Sequence, residues 1–333
     1  MPELPEVETV ARGVDARVRG ERIVGVWFGE KKEPLKSPAA AMERALTGAR
    51  IAGVRRVGKT IVFDLAEGEE EAKGDSSAAR RSGRKDDKKR EADSSTARGS
   101  GRKDNKKREA DSSTARRAGA RGSGRKDDKI QNQWLVHRQW LVHLGMTGRL
   151  LVNAGEVERA KHTHAVVTLG SGQEIRFVDP RRFGRLSLVE GFEGTGVEPL
   201  TIGMEEFAGL FRGRKTPIKS ALLNQNLLHG VGNIYADEAL FRAGVRPRRQ
   251  AARVTRAEME RLRVGLIEVL RQAIALGGSS VNDYVDAEGS RGFFQLEHRV
   301  YGRTGEPCRV CGTEIKRVVI AGRSSHFCSK CQR

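Results

Sequence analysis

CRVCGTEIKRVVIAGRSSHFCSKC, residues 308–331, holds all four cysteines of the chain in two Cys-x2-Cys pairs, Cys308/Cys311 and Cys328/Cys331. Sixteen residues separate the pairs. Two such knuckles bring four thiolates into a tetrahedron, the donor set of a structural zinc site. Disulfides or a redox pair are the competing readings, and an intracellular chain with no further cysteine disfavours both. Four thiolates leave no open coordination position, so one structural Zn²⁺ is expected. Residues 314–323, between the pairs, are strand-like and basic, which fits a β-hairpin finger. Arg323 falls near its tip, within reach of a phosphate; on this basis alone the favoured reading is a solvated surface charge.

Moving outward, a polar Gly/Ser-containing stretch, 279–292, leads into the cysteine module. Before it the texture is helical over 205–211, 217–226, 233–243 and 256–276, with Gly277-Gly278 ending the last helix. Earlier still come short β-type runs at 23–28, 49–57, 60–65, 140–144, 148–152, 164–169, 174–178 and 184–189. They are separated by Gly, Asn and Asp, the pattern of a sandwich or barrel. A helix is expected over 3–19, where Val7, Val10, Ala11, Val14 and Val18 make one apolar stripe. The fold class is therefore α+β and multidomain: a β domain with a leading helix, a helical domain, and a metal-bound tail.

The chain has 333 residues, with 62 Lys+Arg against 43 Asp+Glu and a formal net charge of +19, which points to a polyanionic partner. No run approaches the ~18 apolar residues of a membrane span. The acidic Met1-Pro2-Glu3 start, with no apolar run behind it, makes secretion unexpected. The charge is uneven. Residues 73–129 contain no Val, Ile, Leu, Met, Phe, Trp, Tyr or Cys, and carry 20 Lys+Arg against 10 Asp+Glu. SGRKDDKKREADSSTAR at 82–98 returns almost unchanged as SGRKDNKKREADSSTAR at 100–116, and a third partial copy begins at Ser123. QWLVH is likewise doubled, at 133–137 and 139–143. A segment with nothing apolar to stack cannot offset its ordering entropy, so 70–132 reads as a disordered insertion. It is either an auxiliary nucleic-acid-binding arm or a tolerated loop expansion.

MPELPEVETV opens the chain with a proline that becomes N-terminal once Met1 is removed, followed by Glu3 and Glu6. An α-amino group titrates near ~7.7–8, so more of it is neutral at pH 7 than of a lysine. A secondary amine attacking a sugar C1′ yields an iminium ion, an electron sink for elimination, and a neighbouring carboxylate can move the protons. The alternative is that Pro and Glu are ordinary first-turn helix residues.

Five motifs occur in order: MPELPEVETV, HLGMTGRL (143–150), DPRRFG (179–184), PIKSALLNQNLLHGVGNIYADEALF (217–241) and the four-cysteine tail. Together they resemble the formamidopyrimidine-DNA glycosylase family over roughly 1–68 and 134–333. The resemblance implies a bifunctional DNA glycosylase and abasic-site lyase that removes oxidised purines from duplex DNA. It implies an N-terminal β-sandwich (1–69 and 133–195, interrupted by 70–132), a helix–two-turns–helix domain with a base-capping loop (196–292) and a zinc finger (293–333). By motif, Pro2 is the Schiff-base nucleophile and Glu3 its proton donor. Lys59 assists β-elimination, and Arg323 δ-elimination and phosphate contact. Extracting a nucleotide from the duplex costs a few kcal/mol of stacking and pairing. Met146, Arg181 and Phe183 match the side chains that fill the hole. Asn233, Lys219, Arg214 and His162 match phosphate contacts, with Gly230-x-Gly232 freeing N–H groups beside a helix N-terminus.

The expected partner is damaged double-stranded DNA, without a membrane. The expected state is a monomer in the bacterial cytoplasm, associated with the nucleoid. The chain departs from the family in the insertion, in the doubled QWLVH and in Asn224, where relatives often carry Asp. The second QWLVH runs directly into the GMTG turn and is the expected strand. An endonuclease VIII-like enzyme acting on oxidised pyrimidines, or an inactive zinc-dependent DNA-binding relative, are the competing functions.

Overall fold

In the computed structural model, which describes residues 1–67, 136–280 and 284–333, the valine spacing of the first residues becomes helix α1, Leu4–Val18. Its buried stripe Val7, Val10, Ala11, Val14 and Val18 lies against the β domain. Eight strands follow: β1 Ile23–Phe28, β2 Arg50–Val57, β3 Thr60–Ala66, β4 Val136–His143, β5 Arg149–Ala154, β6 Thr163–Leu169, β7 Gln173–Val178 and β8 Arg185–Val189. They pair antiparallel into two four-stranded sheets, ordered β1-β6-β7-β5 and β2-β3-β4-β8. Phe63, Trp140 and Leu186 from one sheet share a core with Val152, Val167 and Phe177 from the other, which makes the pair a sandwich. The second QWLVH copy lies in β4, paired on one side with β3 and on the other with β8. The insertion 70–132 and its repeats lie outside the described residues.

Helix α2, Ala39–Leu46, was not expected from the sequence. It is short, yet Met42 and Leu46 are buried in the sandwich core.

The helical half contains α3 Met204–Phe211, α4 Ile218–Leu222, α5 Asn233–Ala243 and α6 Arg256–Ala275 around a second core. The helix expected over 217–226 stops at Leu222. Beyond it the Asn224 carbonyl accepts the N–H groups of Leu227 and Leu228, while its side chain accepts that of Asn226. Asn224 thus competes with the helix for the backbone and converts the segment into the first of two turns. The Gln225 amide closes the second, accepting from Gly230 N at 2.9 Å and donating to Val231 O at 2.8 Å. Helix α5 ends on Gly244 in the left-handed region (φ 71°). Helix α6 starts from a Thr255/Glu258 capping box.

The finger is a hairpin of β9 Ile315–Ile320 and β10 Arg323–Cys328. Its turn residues, Ala321 and Gly322, both take positive φ, the geometry that matches strand twist in a two-residue hairpin. The halves also exchange residues. Leu4 belongs to the helical core, whereas Tyr284 and Ala287, far downstream, belong to the sandwich core.

Candidate functional site

The N-terminus of α1 is held by the two-turn segment. Leu4 N donates to Gly230 O at 3.0 Å, and the Glu3 carboxylate accepts from Ile234 N at 3.3 Å, in the first turn of α5. Gly232 makes this possible, because a Cβ there would sit 2.1 Å from Glu3 Cδ. The helix N-terminus expected to offer its amides to a phosphate is thus already occupied by the protein's own carboxylate.

Glu3 is only 5% exposed. Burial pushes its pKa up to about 7, reinforced by Glu6 and opposed by the Lys59 ammonium. Its Oε2 has no hydrogen-bond partner among the described residues. Glu6 is buried beside it and accepts from Glu3 N at 2.8 Å, from Ser279 N at 2.7 Å and from the Tyr235 hydroxyl. Pro2 is buried and, with Glu6, Met146, Ser279 and Tyr284, lines a cavity of about 30 Å³.

Lys59 follows Gly58 (φ 60°) in the tight turn between β2 and β3. The turn is braced by buried Arg56, which donates to Glu8 at 2.7 Å, Glu198 at 2.8 Å and Gly58 O at 3.3 Å. Burial lowers the Lys59 pKa and Arg323 adds to that, while Glu3 and Glu6 oppose it. A cavity of about 240 Å³ opens beside it, lined by Met1, Lys59, His143, Gln225 and His229. Glu3, Lys59 and the exposed Arg323 thus form one electrostatic neighbourhood, with Pro2 next to Glu3 in the chain.

Met146, which lines the small cavity beside Pro2, and Phe183 are 44% and 50% exposed, an unusual state for such large apolar side chains. The Arg181 guanidinium lies 4.6 Å from the Phe183 ring centroid. Two loops carry these three residues, and buried Asp179 ties the loops together. Its carboxylate accepts from Thr147 Oγ1 at 2.5 Å, Gly184 N at 2.7 Å and Arg181 N at 3.2 Å. Asp179 stands inside DPRRFG, but sequence reasoning passed it over in favour of the arginine and phenylalanine. Exposed His162 has a left-handed backbone (φ 69°), and its carbonyl accepts Asp179 N at 3.0 Å, at the foot of the same loop.

Asn233, half-buried at the start of α5, donates to Ser324 Oγ at 3.4 Å on the finger hairpin. Arg214 is exposed after α3, its guanidinium donating to Leu210 O at 2.6 Å. Lys219 departs from expectation. It is 0% exposed, and its ammonium donates to Ser324 O at 2.6 Å and pairs with Asp237 at 2.7 Å. In this position it anchors the backbone next to Arg323 and cannot meet a phosphate directly. Asp237 went unnoticed in the sequence, and it also accepts from Ser325 Oγ at 3.0 Å and His326 N at 2.8 Å.

The four cysteine sulfurs lie within 4.8 Å of one another. Separations of 3.9 Å for Cys308–Cys331 and 3.4 Å for Cys311–Cys328 bracket the ~3.8 Å edge of a tetrahedron with Zn–S bonds of ~2.3 Å. The donor set fits one structural zinc.

Comparison with known proteins agrees with this fold and with the cysteine cluster. The family model for the formamidopyrimidine-DNA glycosylase N-terminal domain matches residues 1–78 and 109–186. That for the formamidopyrimidine-DNA glycosylase H2TH domain matches 195–285, and a zinc finger found in FPG and IleRS matches 305–333. A formamidopyrimidine-DNA glycosylase of Solibacter usitatus is 38% identical over 337 residues, covering all of both chains. One from Gluconobacter oxydans is 37% identical, again over both whole chains. Among solved structures, a Lactococcus lactis FPG mutant complexed with Fapy-dG-containing DNA superimposes with a TM-score of 0.74 at 27% identity, covering 100% of each chain. The wild-type Lactococcus lactis protein with oxidised-pyrimidine-containing DNA gives 0.72 at the same identity and coverage.

Proposed function

The chain belongs to the formamidopyrimidine-DNA glycosylase family, whose members are base-excision repair DNA glycosylases and abasic-site lyases. From that premise we propose that it excises oxidised purines, 8-oxoguanine and formamidopyrimidines, from duplex DNA through the amine of Pro2. The observation that carries the proposal is the carboxyl of Glu3, the residue after Pro2, with a pKa of about 7. It can hold a proton at neutral pH and release it during the reaction.

Removal of Met1 frees the Pro2 nitrogen as a secondary amine. Its lone pair attacks C1′, and the bond from C1′ to the base breaks. The base leaves with that electron pair and takes up a proton. The new ammonium loses its proton, and the C1′–O4′ bond opens as Glu3 protonates O4′, leaving an iminium ion. Loss of a C2′ proton then expels the 3′ phosphate, and loss of a C4′ proton expels the 5′ phosphate. Hydrolysis of the iminium ion by water releases Pro2 and the sugar remnant as an aldehyde. Lys59, whose burial favours the neutral amine, exchanges protons in the β step, and Arg323 supports the δ step and holds phosphate.

Met146, Arg181 and Phe183 fill the space left by the flipped nucleotide, the guanidinium pairing with the orphaned cytosine. Asn233, Arg214 and His162 face the backbone phosphates, and Lys219 serves by holding the finger in place. Zinc gives the finger its shape and takes no part in bond breaking. Among the described residues no helix is long and apolar enough to cross a membrane. The enzyme acts as a monomer on DNA in the bacterial cytoplasm, at the nucleoid.

Borohydride trapping on DNA with 8-oxoguanine opposite cytosine, followed by peptide mapping, is the test. A covalent adduct on Pro2 is expected; an equally strong adduct with Pro2→Gly defeats the mechanism. One structural relative was solved with oxidised-pyrimidine DNA, so thymine glycol is the competing substrate. If thymine glycol is cleaved much faster, an endonuclease VIII-like specificity replaces the purine assignment.

A further inference from the structure

Between helix α6 and the finger lies a set of buried groups that take no part in the bond-breaking steps. Ser279 is 5% exposed; its N–H donates to Glu6, and its Oγ lies 3.2 Å from His298 Nε2. His298 is also 5% exposed, and burial pushes its pKa down to about 4, so the ring is neutral at neutral pH. It stands edge-on between Phe294 (centroids 5.4 Å apart) and Tyr301 (5.6 Å). Phe294 packs on Tyr235 at 5.5 Å, and Tyr301 on His326 at 5.0 Å. Five rings therefore run unbroken from Tyr235, whose hydroxyl bonds Glu6, to His326, whose Nδ1 meets Asp237 at 3.2 Å at the base of the finger hairpin.

A purely apolar ring at 298 would fill this row equally well and would leave the Ser279 hydroxyl buried without His298 Nε2. Burying a hydroxyl unpaired is costly, so the backbone of Ser279 would shift to find another partner. That shift acts on Glu6, which holds the Glu3 N–H and hence the residue joined to Pro2.

We propose that His298 is a positioning residue for base excision: by holding the Ser279 hydroxyl it keeps the Ser279 N–H on Glu6 and so fixes the Pro2 nitrogen for attack on C1′. The proposal rests on Pro2 being the nucleophile. Displacing a base from an intact nucleoside needs the amine in a narrow attack geometry, where ångström-scale misplacement is costly. An abasic site offers an open aldehyde, which condenses with an amine from a wider range of approach. The brace therefore governs excision and spares cleavage of ready-made abasic DNA.

The test compares His298→Phe, which keeps the ring row and loses Nε2, with His298→Gln, Ser279→Ala and the double variant His298→Phe/Ser279→Ala. Single-turnover excision of 8-oxoguanine is measured beside cleavage of preformed abasic DNA, zinc content and Tm. His298→Phe and Ser279→Ala are each expected to slow excision about tenfold or more, with abasic cleavage within about twofold of the parent. The double variant should be no slower than either single one, as for two groups acting through one hydrogen bond. His298→Gln, which can still reach Ser279, should retain more excision than His298→Phe. The proposal is overturned if His298→Phe excises at the parental rate, if the two losses multiply, or if excision and abasic cleavage fall together along with Tm or zinc. Failure of the nucleophile assignment shows separately, as the absence of a Pro2 adduct in the parent protein.

Discussion

Glu3 is where stability and the proposed chemistry pull in opposite directions, and pH separates them. Its folded pKa of about 7 lies above the ordinary 4.5. Between those values the native state binds a proton that the unfolded chain has lost. Stability from this group is complete below pH 4.5 and is lost as pH rises through 7. Glu3→Gln removes that loss, so it should be more stable than the parent by about 3–4 kcal/mol at pH 8 and nearly equal at pH 4. Urea unfolding at the two pH values checks this. The same substitution should abolish most base excision, and parental excision should decline above pH 7 as Glu3 loses its proton. The pairing of Pro2 with Glu3 was legible in the first ten residues. The shifted pKa was not, because it depends on burial against Ile234 and Glu6, and burial is a property of the folded chain.

Helix α5 and the finger hairpin are joined through Asp237, which pairs with Lys219 and accepts from Ser325 and His326. Replacing it by alanine strands a buried ammonium. Asp237→Ala is therefore expected to cost about 3–5 kcal/mol, read from denaturant unfolding. Chelating the zinc should abolish DNA binding while the sandwich transition in a thermal melt survives, since the finger core of Val300, Ile315, Cys308 and Cys328 is separate from the sandwich core. A chelated protein with unchanged affinity for DNA would show that the finger is dispensable. At this scale sequence patterns did well wherever an element is long or strictly alternating: α1, α5, α6, the sandwich strands and the hairpin. They failed at α2, eight residues of which only Met42 and Leu46 are buried, and at α4, where the Asn224 backbone bonds overrule helix propensity. Lys219 misled for a related reason. A lysine in a DNA-binding motif is expected in solvent, and only the fold reveals the carboxylate that holds it inside.

The whole molecule carries +19, and residues 73–129 account for +10 of it, leaving +9 on the rest of the chain. Deleting 73–129 should reduce the slope of log affinity against log salt if those charges displace counterions from DNA, and should leave excision intact. A salt titration of binding by the deleted protein decides between an auxiliary arm and a passive expansion. The exchange of residues between the two halves has a different consequence, one of timing. Leu4 sits in the helical core, and Glu3 bonds Ile234, 231 residues further along the chain. On a translating ribosome Pro2, the proposed nucleophile, emerges first and waits longest. Until α5 has followed it out, there is nothing to desolvate Glu3 or to aim the amine. On the proposed mechanism a growing chain that has lost Met1 carries a reactive amine but no assembled site, so an incomplete product cannot excise a base.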